Sequence, residues 1–189
     1  MLRDLKISLL ALLTLSALTG IVYPLAITVI AQLVFPGRAN GSLVEVDGVV
    51  RGSTLVGQDW RGERWFHGRP SATSPAPYVP LPSSGSNLGP IHPALLSAIG
   101  ERAAALRAET GGDGPLPVDL LTSSASGLDP HISPAGACLQ VARVARARGL
   151  DPARVLALVE EHVQGRALGL LGEPRVNVLE LNLALEGLR

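Results

Sequence analysis

The chain has 189 residues, 16 basic and 16 acidic side chains, no net formal charge, and a single cysteine, Cys138. This balance excludes the strongly basic surface that a nucleic-acid or polyanion partner needs. One cysteine excludes an intrachain disulfide framework, and six aromatic residues leave the core to Leu, Val and Ala.

Residues 1–6 carry Arg3 and Lys6, and residues 7–37 contain no Asp, Glu, Lys, Arg or His. Crossing a bilayer takes roughly 20 apolar residues in helix, so residues 7–35 are predicted to form one transmembrane helix. A signal peptide is the alternative, with Arg3 and Lys6 as its basic start and Val29-Ile30-Ala31 as its cleavage site. Its apolar region would span only roughly 7–15 residues. Here the run is longer and resumes with Leu33, Val34 and Phe35, which favours a retained anchor. The positive-inside rule then puts the N-terminus in the cytoplasm and residues 38–189 outside. Within the span, Thr14, Ser16, Thr19 and Gly20 form a small-residue face and Pro24 lies near the middle. That pattern suits close approach of a partner helix, although Gly and Pro are common in membrane helices generally.

Residues 36–48 read as a polar connector and residues 49–189 as one external domain. An external domain without disulfides fits a bacterial periplasm or cell surface. Residues 49–58 predict a strand and turn, and residues 64–69 a second short strand. Residues 70–91, dense in Pro, Ser and Gly, predict a long functional loop. Pro93 opens a helix that ends at Gly111-Gly112, with Leu95, Leu96, Ile99, Ala103 and Leu106 as its apolar stripe. Residues 118–122 predict a buried strand. Ser133-Pro134 then starts a helix with Cys138, Val141, Ala142 and Ala145 inward, Arg143, Arg146 and Arg148 outward, and Gly149 at its end. Asp151-Pro152 starts the next, with Val155, Leu158, Val159 and His162 on its buried side. Asn177 and Glu180 have capping-box spacing for a last helix reaching Gly187. The fold class is therefore α+β, with a small sheet and about four helices after the transmembrane one.

The four histidines are far apart and lack ligand spacing, so no metal site is expected. No Walker-type Gly-Lys-Ser and no Gly-x-Ser-x-Gly elbow occurs. Ser126 with His131 is the one pair open to a serine-hydrolase reading, and a plain Ser/Gly turn is the competing one. Two polar runs exceed what connectors need. One goes from Phe66-His67-Gly68-Arg69-Pro70-Ser71-Ala72 through Tyr78 to Ser83-Ser84-Gly85-Ser86-Asn87-Leu88-Gly89, and the other is residues 122–133. Such runs can form nests for ions or satisfy one another.

At these runs the chain resembles the C subunit family of the bacterial Kdp potassium-transporting ATPase. The resemblance rests on Thr19-Gly20, Tyr23-Pro24-Leu25, Asn40-Gly41-Ser42-Leu43, Gly57-Gln58, residues 66–72, Gly85-Ser86-Asn87-Leu88, Ser126-Gly127-Leu128-Asp129, Ile132-Ser133-Pro134, Arg143-Val144-Ala145 and Val176-Asn177-Val178-Leu179. Ser84 departs from it, standing where the family usually has Gly, which matters if that position has positive φ. The resemblance implies an accessory subunit in the bacterial inner membrane, beside a channel-like potassium-binding subunit and a P-type ATPase subunit. The family's role is in assembly and in raising the ATP affinity of the ATPase subunit, as a catalytic chaperone; no catalytic residues are implied. It makes Gly20, Pro24, Arg69, Pro70, Ser71, Ser86, Asn87, Ser126, Gly127 and Asp129 the docking and structural motif positions. ATP is implied by the resemblance alone. Ser126-Gly127 followed by Gln140 is similar to nucleotide-signature loops, so Gln140 is the nucleotide candidate. The alternatives are an anchored serine-type enzyme using Ser126 and His131, and a small-anion binding module built on Arg69.

Overall fold

The computed structural model describes residues 1–112 and 114–188. It divides into two compact units, Met1–Arg51 and Gly52–Arg189.

In the first unit a continuous helix runs over Leu2–Val34, the one helix among the described residues long and apolar enough to cross a membrane. Its 33 residues at 1.5 Å each reach about 50 Å, beyond the ~30 Å hydrocarbon core. It consists of α1 (Leu2–Ala17), a π turn at Leu18–Val22, and α2 (Tyr23–Val34). The π turn has a local cause. Pro24 lacks an N–H, and its ring crowds the carbonyl one turn back. The widened turn makes room by bonding Tyr23 N–H to the Leu18 carbonyl. Thr19 and Thr28 hydroxyls donate to the Leu15 and Pro24 carbonyls, so neither is an unmet polar group. The expected connector is more ordered than its polarity suggested. It holds α3 (Pro36–Ala39) and β1 (Leu43–Val46), and an Asp47-Gly48 turn with both φ positive leads into β2 (Val49–Ser53). Asn40 and Gln32 exchange amide hydrogen bonds of 3.0 and 3.2 Å, fastening α3 back onto α2.

The second unit is built around α5 (Pro134–Arg148), α6 (Pro152–Glu161) and α7 (Val178–Gly187), with a flanking α4 (Pro93–Thr110). A three-stranded antiparallel sheet joins β3 (His131–Ile132), β4 (Val163–Gln164) and β5 (Arg175–Asn177) in the order β3-β5-β4. Val176 pairs with Ile132 on one side and Val163 on the other. Ile132, Val144, Val155, Val159, Val176, Leu181 and Leu185 form the core, and Phe66 inserts into it from the first polar run.

The helix starts follow their caps. Ser133, Asp151 and Asn177 side chains accept from N–H groups of the first turn. Gly111 and Gly149 end α4 and α5 in the left-handed conformation. The Asn177 box is one-sided, because the Glu180 carboxylate accepts from Gln164 instead.

Four expectations are corrected. Residues 118–122 are not a strand: Val118–Leu120 is a 3₁₀ turn and Val118 is exposed. The turn places the Asp119 carboxylate on the N–H and hydroxyl of Ser133, the cap of α5. Residues 64–69 are not a strand either; side-chain amides, described below, take the place of a neighbouring strand there. On α4, Leu96 is exposed, and the helix buries no side chain fully. On α5, Val141 and Ala145 face in as expected, joined by Ala137 and Val144, while Cys138 and Ala142 face out. Arg143, expected outward, is buried at 3 % exposure.

Candidate functional site

The two polar runs, far apart in sequence, meet. The first is anchored in the core by two buried amides. Asn182 Oδ1 accepts from Phe66 N–H at 2.9 Å and its Nδ2 donates to the Phe66 carbonyl at 3.0 Å. Gln140 Oε1 accepts from His67 N–H at 2.7 Å and its Nε2 donates to the His67 carbonyl at 3.1 Å. Each amide thus replaces a strand neighbour, satisfying both backbone groups of one residue. Arg143 completes the anchor by donating to Gln140 Oε1 at 2.7 Å and to the Glu63 carbonyl at 2.6 Å, while pairing with Glu109 of α4. Burial and the Arg143 charge push the His67 imidazole below its usual range. His67 is therefore neutral near pH 7, with Nε2 at 2.9 Å from the Gly62 carbonyl.

Beyond the anchor, Arg69 donates to Asp129 Oδ2 at 3.1 Å and reaches the Thr122 and Ser123 carbonyls at 3.4 Å. Ser71 Oγ donates to the Gly127 carbonyl at 2.7 Å and accepts from Tyr78 N–H at 2.9 Å. Tyr78 donates its hydroxyl to the Arg69 carbonyl, and burial pushes its phenol up to about 12. Ser83 reaches the Ser126 carbonyl at 2.9 Å. The approach is close enough to demand glycine. Gly127 has φ +70, and a Cβ there would lie 2.6 Å from Thr73 Cγ2. A Cβ on Gly85 would lie 2.7 Å from the Ala125 carbonyl oxygen. Ser84 is not among the positive-φ residues, so its departure from the family pattern needs no strained backbone.

Asp129 is the electrostatic centre. Burial alone would raise its carboxyl. Hydrogen bonds from the His131 side chain and backbone, and then the Arg69 guanidinium, outweigh burial and hold it below the usual range. A depressed native value stabilises the fold above the ordinary aspartate range and stops doing so as pH falls through that native value. Urea unfolding of the full chain in detergent, from neutral to about pH 3, is expected to show this acid-side loss. Asp129→Asn should flatten that part of the profile; an unchanged slope would count against the network.

A cleft of about 380 Å³ lies beside the junction, with Trp60, His67, Arg69, Ser71, Tyr78, Arg102, Glu109 and Gln140 in its wall. Two donors of this wall, Trp60 Nε1 and Arg69 Nε, are buried without an acceptor among the described residues.

Of the expected positions, the structure therefore brings together Arg69, Pro70, Ser71, Ser126, Gly127 and Asp129. Ser86 and Asn87 are exposed, with Asn87 at φ 51. Gly20 sits in the π turn and Pro24 in the first turn of α2. Gln140 is 2 % exposed, and its amide is spent on His67, Arg143 and the Gly136 carbonyl. Ser126 Oγ accepts from Leu128 N–H at 3.1 Å and is not bonded to His131, which instead lies 3.5 Å from Asp129. The residues missed in sequence are Asn182 and Thr73, and Arg143 is misplaced there on the outward face of α5. Asn182 carried a signal: it is a polar residue within the apolar face of α7, between Val178 and Leu185.

The family described as KdpC: K+-transporting ATPase, c chain, matches residues 5–187. The chain is 60% identical over 190 residues to the potassium-transporting ATPase KdpC subunit of Sorangium cellulosum, covering all of both chains. It is 56% identical over 190 residues to that of Methylococcus capsulatus, again covering all of both. Against that of Methylibium petroleiphilum it is 56% identical, covering 98% of this chain and 97% of the relative.

Proposed function

The chain belongs to the KdpC family of K+-transporting ATPase c chains, and from that membership we propose that it is the non-catalytic accessory subunit of a high-affinity, ATP-driven potassium uptake pump. It joins a channel-like potassium-binding subunit and a P-type ATPase subunit in the bacterial inner membrane. It stabilises their assembly and raises the ATP affinity of the ATPase subunit, as a catalytic chaperone. The N-terminus is cytoplasmic, the helix Leu2–Val34 crosses once, and the domain lies outside.

The observation that carries this reading is the mutual locking of the two polar runs. Arg69, Ser71 and Asp129 spend their charge and hydroxyl on the opposite run. That makes a preformed recognition face, and preformed faces lose little entropy on docking. With the Gln140 amide committed internally, the effect on ATP passes through docked loops rather than through a nucleotide held here.

Removing the chain from a host that depends on this pump is expected to abolish growth at low potassium; undiminished growth overturns the reading. The ATPase assembled without it should show an apparent KM for ATP raised by about 5-fold or more, the lower range of ordinary coupling between sites. Cys138, the sole cysteine, is exposed and reports topology. A membrane-impermeant maleimide should label it in intact spheroplasts. Labelling only after lysis places the domain on the other side.

A further inference from the structure

The segment between β4 and β5 belongs to no part of the core, since residues 165–174 are all exposed. It is nevertheless fixed in shape. Ala167 and Leu171 exchange backbone hydrogen bonds of 2.8 and 2.9 Å, and Gly169 N–H bonds the Arg166 carbonyl. Arg166 grips both oxygens of Glu173 at 2.9 and 2.7 Å across the base. The tip presents Leu168, Leu170 and Leu171, which are 91%, 79% and 64% exposed. Leu168 is held at φ 53. A bulky side chain is out of place there, and glycine would relieve the strain. Folding alone gives no reason for a leucine at a bare, left-handed tip, and strain of this kind points to function.

We propose that this loop is a docking wedge, seating the three leucines in a neutral, apolar recess on another subunit of the potassium-transporting complex. The inference rests on the subunit reading above. Its charge pattern selects this occupant. A loop that enters lipid headgroups carries free Lys or Arg and interfacial Trp or Tyr. Here Arg166 is neutralised by Glu173, Arg175 is bonded to Gln164, and residues 163–177 contain no aromatic. Nor is a second copy the occupant: three leucines cover far less than the roughly 1,200 Å² of a specific dimer interface. As one apolar anchor within a larger subunit contact, they have the character of an interface hot spot.

The test uses the full chain, tagged and co-expressed with the other subunits in native membranes. Leu168→Asp combined with Leu170→Asp should leave the chain's own melting temperature unchanged. Recovery of the other subunits with it should fall about tenfold. Leu168→Gly should raise the melting temperature yet lower recovery, which a purely structural role does not predict. A photocrosslinker at position 168 should join the chain to another subunit. Adducts with lipid or with a second copy overturn the wedge. Equal recovery by the double variant and the wild type also overturns it, leaving the subunit reading intact. A wild-type chain that recovers no subunit overturns the subunit reading itself.

Discussion

Replacing Arg143 with alanine is expected to lower the unfolding free energy of the second unit by about 3 kcal/mol, the low end of the cost of breaking a buried pair. The side chain is 2% exposed, and its guanidinium serves Glu109, Gln140 and the Glu63 carbonyl at once. Alanine leaves the Glu63 carbonyl and part of the Gln140 acceptor capacity unmet and opens a cavity behind them. The low end applies because Glu109 is one-third exposed and can turn to water. Lysine should not rescue the loss, since an ammonium on a flexible stem cannot reproduce the planar fork. Urea unfolding of the full chain in detergent measures the effect. A change below about 1 kcal/mol, ordinary for a surface residue, would show that the anchor holds without Arg143. Because Arg143 orients Gln140, and Gln140 holds His67, the variant should also loosen the Arg69–Asp129 junction and reduce co-purification with partner subunits.

Asn182→Leu is expected to cost roughly 2–6 kcal/mol, from two buried backbone groups left unmet at about 1–3 kcal/mol each. Asn182 is fully buried, and no other hydrogen bond serves the Phe66 N–H or carbonyl among the described residues. Asn182→Asp separates hydrogen bonding from packing. Its carboxylate still accepts from the N–H but confronts the Phe66 carbonyl, and burial raises its native pKa. A raised native value means the variant recovers stability as pH falls and loses it as pH rises through that value. Leucine has no such recovery. If the two variants shared one pH profile, the amide clamp would not be the source of the loss.

The helices of the second unit were legible because their ends are written in local chemistry. Pro93, Ser133-Pro134, Asp151-Pro152 and Asn177 open them, and Gly111 and Gly149 close α4 and α5. The sheet was not legible. Strands of two or three residues such as Val163–Gln164 carry no period to read. Val118–Leu120 has strand-like residues, but its conformation is set by the contact of Asp119 with Ser133, which lies fourteen positions on. The inward face of α5 is legible at Val141 and Ala145 but not at Cys138 and Ala142, because alanine and cysteine are too small to mark a face. Arg143 was assigned outward because its partners come from residues 62–63, Gln140 and α4, which no local pattern announces. The candidate site was half legible. Its hydroxyl-rich runs stood out, but the fact that Ser71 answers Gly127 is tertiary information.

The π turn at Leu18–Val22 bears on how the candidate membrane helix should be mapped. It absorbs about one residue beyond an α turn, a phase slip of roughly 100°. A wheel drawn at uniform pitch will therefore place Thr14 and Ser16 correctly relative to each other, yet assign the wrong azimuth to everything from Tyr23 onward. Scanning mutagenesis of this helix should be plotted as two wheels, one for each side of Gly20. Sensitive positions that look scattered on one wheel are then expected to fall on a single stripe.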